Sequence, residues 1–342
     1  MKLKNFSRSL WSKILDYTPS RNSINSAGDM KRPFHAVIYS VARIGDGIAC
    51  SIAIKAIAQK YDDCKIFVVC SKYNKVCFDD IPNIALLTVS DDKNYIQIVL
   101  TAIKIKKSSP VDILFEPSAS SSIGPLIFMR ALKAARNITF RKSKMKMLDQ
   151  VVLNADDSVI SSHVKAMHSA GIEVNDETFS FYLNTLCESK IKGFLIAKDI
   201  NEYIAINLYG FDEKRKIDVV TATELIFAIK GVSKLKIILL CSPQTSDEVC
   251  FLSNEIDNVY CFLDTRTIHE SAALIKHSKC LISPDTSLVH IASAFNIPTL
   301  AIFLDEANYT HWPPTATGSQ SILCSSMTSI PHDKVTAFIR DL

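Results

Sequence analysis

The chain has 342 residues, long for one hydrophobic core, so about two domains are expected. Hydrophobic residues make up 48% and charged residues 22%, an ordinary globular balance, and a net charge of +4 does not call for nucleic acid as a partner. The ten cysteines form no C-x-x-C and no Cys/His metal spacing, and several sit inside apolar runs such as KIFVVC and KIILLC, which suits a reduced, cytoplasmic compartment.

Residues 1–32 form a basic extension, with seven lysines and arginines against Asp16 and Asp29. Phe6, Leu10 and Ile14 recur there at helical spacing. Such an amphipathic helix suits an anionic membrane surface as well as it suits packing on its own protein. The first residues lack the uninterrupted apolar stretch of a signal peptide, and no window is apolar enough to span a bilayer. The expected location is cytoplasmic, extending to the inner face of the cytoplasmic membrane.

From residue 33 strands and helices alternate. AVIYSV reads as a strand and IACSIAIKAIAQKY as a helix. KIFVVC and IALLTV are strands, YIQIVLTAIKI a helix, VDILF a strand, SIGPLIFMRALKAA a helix and NITF a short strand. Residues 156–198 turn polar and irregular, a candidate connection that closes the N-terminal domain, 33–198. A second series fills 199–342: EYIAINL (strand), IDVVTATELIFAIK (helix), KIILLC and NVYCFL (strands), HESAALIKH (helix) and PHDKVTAFIRDL (helix). Thr221/Glu224 and Thr267/Glu270 both have the spacing of a capping box. The expected fold class is α/β, with two Rossmann-like domains of parallel strands facing across a cleft and ligands at the carboxyl ends of the strands.

Three stretches interrupt these apolar runs with chemistry. In VARIGDGIACS a glycine-flanked carboxylate, Asp46, stands where the first strand turns into its helix. G-x-G-x-x-C is a weak dinucleotide fingerprint, and a carboxylate at that corner reads either as a general base or as a helix cap. In INLYGFDEKRKID, Lys214, Arg215 and Lys216 follow a strand end, where arginine can grip a diphosphate bidentately, although most charge triplets are solvated loops. In SPDTSLVHIASAFNIPTLAIF, Asp285, Thr286, Ser287 and His290 sit at a strand-to-helix corner whose free N–H groups favour an anion. The simpler role for Asp285 or Thr286 is helix capping. A further run, RALKAARNITFRKSKMK, carries Arg130, Lys133, Arg136, Arg141, Lys142, Lys144 and Lys146 without an acid, suited to a solvated face or to anionic phosphates.

In this order the three stretches resemble glycosyltransferase family 9, the heptosyltransferases of lipopolysaccharide assembly, from roughly Ala36 to Phe303. RIGDGI resembles the family's N-terminal R-x-x-x-G-D turn. INLYGFDEKRKI resembles its phosphate loop, and SPDTSLVHIASAF resembles its D-T-G-x-x-H-x-A-x-A signature, with Ser287 in place of glycine. NYTHWPP, from Asn308 to Pro314, resembles a late segment of these enzymes.

The resemblance implies a GT-B fold, with an acceptor-binding N-terminal domain and a donor-binding C-terminal domain. It also implies inverting, metal-independent transfer from a nucleotide-diphosphate sugar, most commonly ADP-heptose, to a lipopolysaccharide core or related glycan. Asp46 would be the base, and Arg215, Asp285, Thr286, Ser287 and His290 would bind the donor. No cofactor and no nucleic acid enter, and an anionic membrane surface is a further expected partner. CSPQTSDEVC lacks a plain counterpart of the family's ribose-binding acid, for which Asp247 and Glu248 are the substitutes at hand. A non-catalytic nucleotide-sugar binding protein would keep the cradle without the base. A nucleotide-sugar-modifying enzyme would need a fuller glycine fingerprint and a Tyr/Lys pair.

Overall fold

The computed structural model describes residues 33–118, 122–140, 148–151, 153–154 and 156–342. The basic extension of residues 1–32 and Arg141, Lys142, Lys144 and Lys146 of the basic run lie outside the described residues. The chain divides into two compact units that meet in sequence at Glu177 and Thr178.

In the first unit, β1 (Phe34–Ser40) leads through a short corner into α1 (Ile44–Lys60). Next come β2 (Cys64–Ser71), β3 (Ile84–Val89), α2 (Tyr95–Ser108), β4 (Ile113–Glu116), α3 (Ile123–Leu132), β5 (Arg136–Thr139), β6 (Asp149–Gln150) and α4 (Val159–Ser169). All sheet pairings are parallel, in the order β3-β2-β1-β4-β5-β6. β1 is buried at every position, because a parallel sheet covered on both faces leaves no solvated side for alternation. Val37, Tyr39, Phe67, Val69 and Leu114 pack with Ile98, Ala102 and Ile105 of α2 and Leu126, Phe128 and Met129 of α3.

The second unit repeats the plan. It runs α5 (Thr185–Ala197), β7 (Tyr203–Asn207), α6 (Val219–Lys230), β8 (Lys236–Leu240), α7 (Ser246–Glu255), β9 (Val259–Cys261) and α8 (Ile268–Lys276). It continues with β10 (Cys280–Pro284), α9 (Ser287–Ala294), β11 (Thr299–Phe303), α10 (Glu306–His311), β12 (Gln320–Leu323) and α11 (His332–Arg340). Its parallel strands lie in the order β12-β11-β10-β7-β8-β9. Numbered from its own first strand, this is again 3-2-1-4-5-6, the doubly wound order of dinucleotide-binding sheets. Ile204, Ile206 and Leu208 pack with Ala222, Leu225, Ile226 and Ile229 of α6 and with Val335 and Phe338 of α11.

The strand order reverses between β1 and β4 in one sheet and between β7 and β10 in the other. In such sheets ligands collect at the carboxyl ends of the strands beside that reversal. The three stretches singled out in the sequence follow β1, β7 and β10, so all of them fall at these points.

Two expectations are corrected. Residues 156–198 carry two helices, α4 and α5, and the division between the units falls between them. α6 starts earlier than a Thr221/Glu224 box would allow: Asp218 is its N-cap and accepts the Thr221 N–H at 2.8 Å. Aspartate is the better N-cap, and starting at Val219 gains further helical hydrogen bonds. The Thr267/Glu270 box forms as expected, with the Thr267 N–H donating to Glu270 at 2.9 Å.

Candidate active site

At the corner of the first unit, Asp46 lies in the first turn of α1. Its carboxylate accepts the backbone N–H of the N-cap residue Arg43 at 3.2 Å. The capping role is therefore real, and it holds the carboxylate, which is partly buried, at the carboxyl edge of β1. The turn beneath it is built from neutral groups. The Asn74 amide is fully buried, donates to the Ser40 carbonyl at 2.7 Å, and accepts from the Ser71 hydroxyl at 2.8 Å and the Ser71 N–H at 2.9 Å. The Ala42 carbonyl, 3.0 Å from Ser71 Oγ, is the alternative acceptor for the same proton.

Gly47 lets Cys77 and Asn74 approach. A Cβ at that position would stand 3.0 Å from Cys77 Sγ and 3.3 Å from Asn74 Cβ. Burial pushes the Cys50 thiol up to about 12, with Asp46 and Glu116 adding to the rise, so it stays neutral. Glu116, at the end of β4, is buried and accepts from the Thr139 hydroxyl at 3.0 Å and from Ser118.

The corner of the second unit is charged. The loop from Leu208 to Ile217 is pinched shut by the Ile217 N–H donating to the Leu208 carbonyl at 2.8 Å. Within it the basic triplet is sorted by side chain. Lys214 is exposed. Arg215 Nη1 pairs with Asp285 Oδ2 at 2.9 Å, and its Nη2 lies 4.0 Å from Asp305 Oδ2. Lys216 Nζ pairs with Glu248 Oε1 at 2.7 Å. Gly210 is required for the close turn, since a Cβ there would stand 2.2 Å from Arg215 Cβ and 2.9 Å from its carbonyl oxygen.

Glu248 also accepts the Tyr209 hydroxyl at 2.8 Å. One carboxylate thus ties down both ends of the Arg215 loop. Lys216 and then Tyr209 hold this carboxyl below its usual range, while burial and Glu248 raise the Tyr209 phenol. Of the two substitutes for a ribose-binding acid, Glu248 therefore already has a partner at each oxygen.

Asn207 links the β7 and β10 corners. It is buried, and its amide donates to the Tyr209 carbonyl at 2.9 Å and to Ser283 Oγ at 3.0 Å, with Thr286 Oγ1 at 3.5 Å. Thr286 occupies the N-cap of α9 but makes no side-chain cap hydrogen bond, and its hydroxyl turns to Ser283 Oγ at 3.2 Å. Asp285 is directed to Arg215, and its own N–H goes to the Ile302 carbonyl at 2.9 Å. The capping explanation of this cluster therefore fails. Its side chains face the β7 loop, and the first turn of α9 presents Ser287 and Leu288, both partly buried, at the positive end of the helix.

His290 lies one turn in and is 4% exposed. It sits between the rings of Phe179 (centroids 5.6 Å apart) and Trp312 (4.9 Å). Burial lowers its pKa to about 4, so the ring is neutral, and among the described residues its Nδ1 has no hydrogen-bond partner. Trp312 belongs to the NYTHWPP segment, which begins inside the Asp305-capped α10, and Trp312 is that helix's C-cap. Among the described residues no three His, Cys, Asp or Glu side chains converge to hold a metal ion.

The sequence missed Asn207, Ser283 and Asn74 as supports, and Asp305 as the second acid beside Arg215. An asparagine or serine ending an apolar strand was the available signal, since a polar side chain there needs a buried partner.

Residues 224–337 match the model of glycosyltransferase family 9 (heptosyltransferase). This segment contains Asp285, Thr286, Ser287 and His290, and it bears out the resemblance carried by their motif. No curated protein matches the chain. Solved structures share its fold. A glycosyl transferase family 9 protein from Veillonella parvula superposes with a TM-score of 0.73 at 13% identity, over 92% of this chain and 100% of that one. The ADP-heptose lps heptosyltransferase II of E. coli gives 0.68 at 14% identity, covering 90% and 98%. The E. coli heptosyltransferase WaaC, solved with ADP, gives 0.67 at 13% identity, covering 90% and 99%. The chain is thus built of two parallel-sheet α/β domains of the GT-B kind. Among its described residues no helix is long and apolar enough to cross a membrane.

Proposed function

We propose that this protein transfers a sugar, heptose foremost, from a nucleotide-diphosphate donor to a hydroxyl of a lipopolysaccharide core or related glycan. The observation that carries this reading is the Arg215–Asp285 pair at the reversal point of the second sheet, beside a helix whose N-cap residue, Thr286, makes no side-chain cap hydrogen bond. An arginine fork beside helix N–H groups describes a diphosphate seat. The match of residues 224–337 to a glycosyltransferase family, and the ADP held by a protein of the same fold, support it.

The reaction assigns one task to each unit. Asp46 takes the proton of the acceptor hydroxyl as that oxygen bonds to the anomeric carbon. The bond from that carbon to the diphosphate oxygen breaks, and its electron pair leaves on the diphosphate. Arg215 and the first turn of α9 stabilise the charge growing there. Asp285 holds the guanidinium by Nη1, and the looser contact of Nη2 with Asp305, at 4.0 Å, would give way to phosphate. Attack from the face opposite the diphosphate inverts the anomeric centre. Thr286 and Ser287 line the seat, and His290 supports its floor as a neutral ring. Fixed cations and dipoles take the part that a metal plays in other transferases.

A thermal-shift panel of ADP, UDP, GDP and their sugar conjugates tests the reading. A ligand at about a hundred times its Kd stabilises by about 2.7 kcal/mol, a readily measured shift. Selective stabilisation by ADP and ADP-heptose is expected, followed by ADP release when a lipopolysaccharide core is added. A flat response to every nucleotide would refute it. Stabilisation without turnover would favour a binding protein.

A further inference from the structure

α2 is apolar on two sides. Ile98, Ala102 and Ile105 are buried against the sheet and α3. On the opposite side Ile96, Leu100 and Ile103 follow one another at i, i+4 and i+7, with exposures of 76%, 62% and 37%. A helix that is apolar all round is normally buried all round, so the outer stripe asks for a partner.

The charge around the stripe identifies the partner's chemistry. Lys104, Lys106 and Lys107 are exposed on the same helix, Lys107 in line with the stripe and the other two flanking it. Among the described residues none of these three lysines makes an ion pair. α2 contains no acid, and neither does α3 packed beside it, which adds Arg130. Asp91 and Asp92 stand before the helix N-terminus, where Asp91 accepts the Lys93 N–H at 2.6 Å and Asp92 accepts from Ser122.

We infer that the outer face of α2 is a docking surface for an anionic lipid bilayer, with Ile96, Leu100 and Ile103 entering the headgroup–acyl boundary and the lysines meeting lipid phosphates. Two other occupants fit worse. A second copy would cover the stripe, but α2 and α3 hold no acid with which it could meet the lysines. The chain's own first 32 residues carry seven basic side chains against two acids, so they would be repelled by the same face. An anionic surface satisfies both the apolar stripe and its charge. The inference does not depend on the glycosyl-transfer reading.

Sedimentation of the full-length protein with phosphatidylcholine–phosphatidylglycerol vesicles, and with pure phosphatidylcholine vesicles, tests it. The wild type should bind the anionic vesicles, weaken as salt is raised, and bind the zwitterionic ones poorly. Ile96→Glu/Leu100→Glu should lower partitioning about tenfold or more. Lys104→Gln/Lys107→Gln should lower it roughly fivefold per lysine, with the folded protein otherwise unchanged because all four side chains are exposed. Partitioning that is equal in the wild type and the Ile96→Glu/Leu100→Glu variant would overturn the inference. So would a dimer, in sedimentation velocity, that the same variant converts to monomer without any vesicle binding. A photo-crosslinker at position 100 that captures residues 1–32 in place of lipid would likewise overturn it.

Discussion

The same strand order is built twice in this chain, but the corners where the order reverses are furnished in opposite ways. The corner of the first unit carries Arg43, Asp46 and the buried Glu116, and neutral groups, asparagine, serines and backbone, hold its turn in place. That of the second unit is an ionic lattice, with Arg215 between Asp285 and Asp305, and Lys216 on Glu248. A carboxylate proposed to take a proton gains from a turn held by neutral groups, since a cation locked against it would lower its basicity. An anion seat gains from cations held in place before the anion arrives. On the proposed reading, one fold would support two tasks through the side chains at equivalent corners.

The comparison can be broken from either side. The largest effect is expected from Asp46→Asn. Turnover should fall by about 10²–10⁴, the usual worth of a general base, while ADP binding stays as in the wild type. Initial rates of ADP release and calorimetric titration measure the two separately. Unchanged turnover would remove Asp46 from the chemistry and leave it a helix cap.

Arg215→Ala comes next. Turnover should fall by about 10²–10³, more than donor affinity falls, because leaving-group charge grows in the transition state. Arg215→Lys should recover only part, since lysine lacks the fork. Equal losses in both quantities would make Arg215 a ground-state binder only.

His290 sharpens the comparison through stability. Its folded pKa of about 4 lies below the unfolded value, so the unfolded chain binds the extra proton first as pH falls. The stability it contributes is present above about pH 6.5, is lost as pH falls toward 4, and changes no further below that. The loss is roughly 3 kcal/mol. Denaturant melts at pH 7 and pH 5 should show this slope in the wild type and lack it in His290→Phe. A slope that persists in the variant would place its origin elsewhere.

The smallest effect belongs to Glu248→Gln. Its carboxyl is held low by Lys216 and Tyr209, so its contribution is present above the usual carboxylate range and is lost as pH falls through its lowered value. The side chains are partly exposed, and the stability cost should stay under about 1 kcal/mol. The kinetic signature differs: the Arg215 loop loosens, so KM for the donor should rise severalfold with kcat little changed. A variant kinetically identical to the wild type would reduce the clamp to a surface ion pair.

Much of this was legible in the sequence because buried parallel strands are short apolar runs, and polar residues at their ends stand out. KIFVVC, IALLTV, EYIAINL and KIILLC each became a strand, and the corners after β1, β7 and β10 hold the residues that interrupted the pattern. Other elements carried too little apolar signal. α7 buries only Val249 and Leu252, and α5 only Ile191 and Leu195, so neither helix is marked by its periodicity. The sorting of Lys214, Arg215 and Lys216 was invisible because it depends on Asp285, Asp305 and Glu248, which are distant in the chain. The same holds for His290, whose neutrality comes from Phe179 and Trp312 on either side of it.

Calorimetric titration of ADP into the wild type, Arg215→Ala and Asp46→Asn tests the division of labour most directly. The account predicts that the wild type and Asp46→Asn bind ADP alike and that Arg215→Ala binds about tenfold or more weakly, as expected for the loss of a charge-assisted contact. Affinity lost in Asp46→Asn and retained in Arg215→Ala would contradict it.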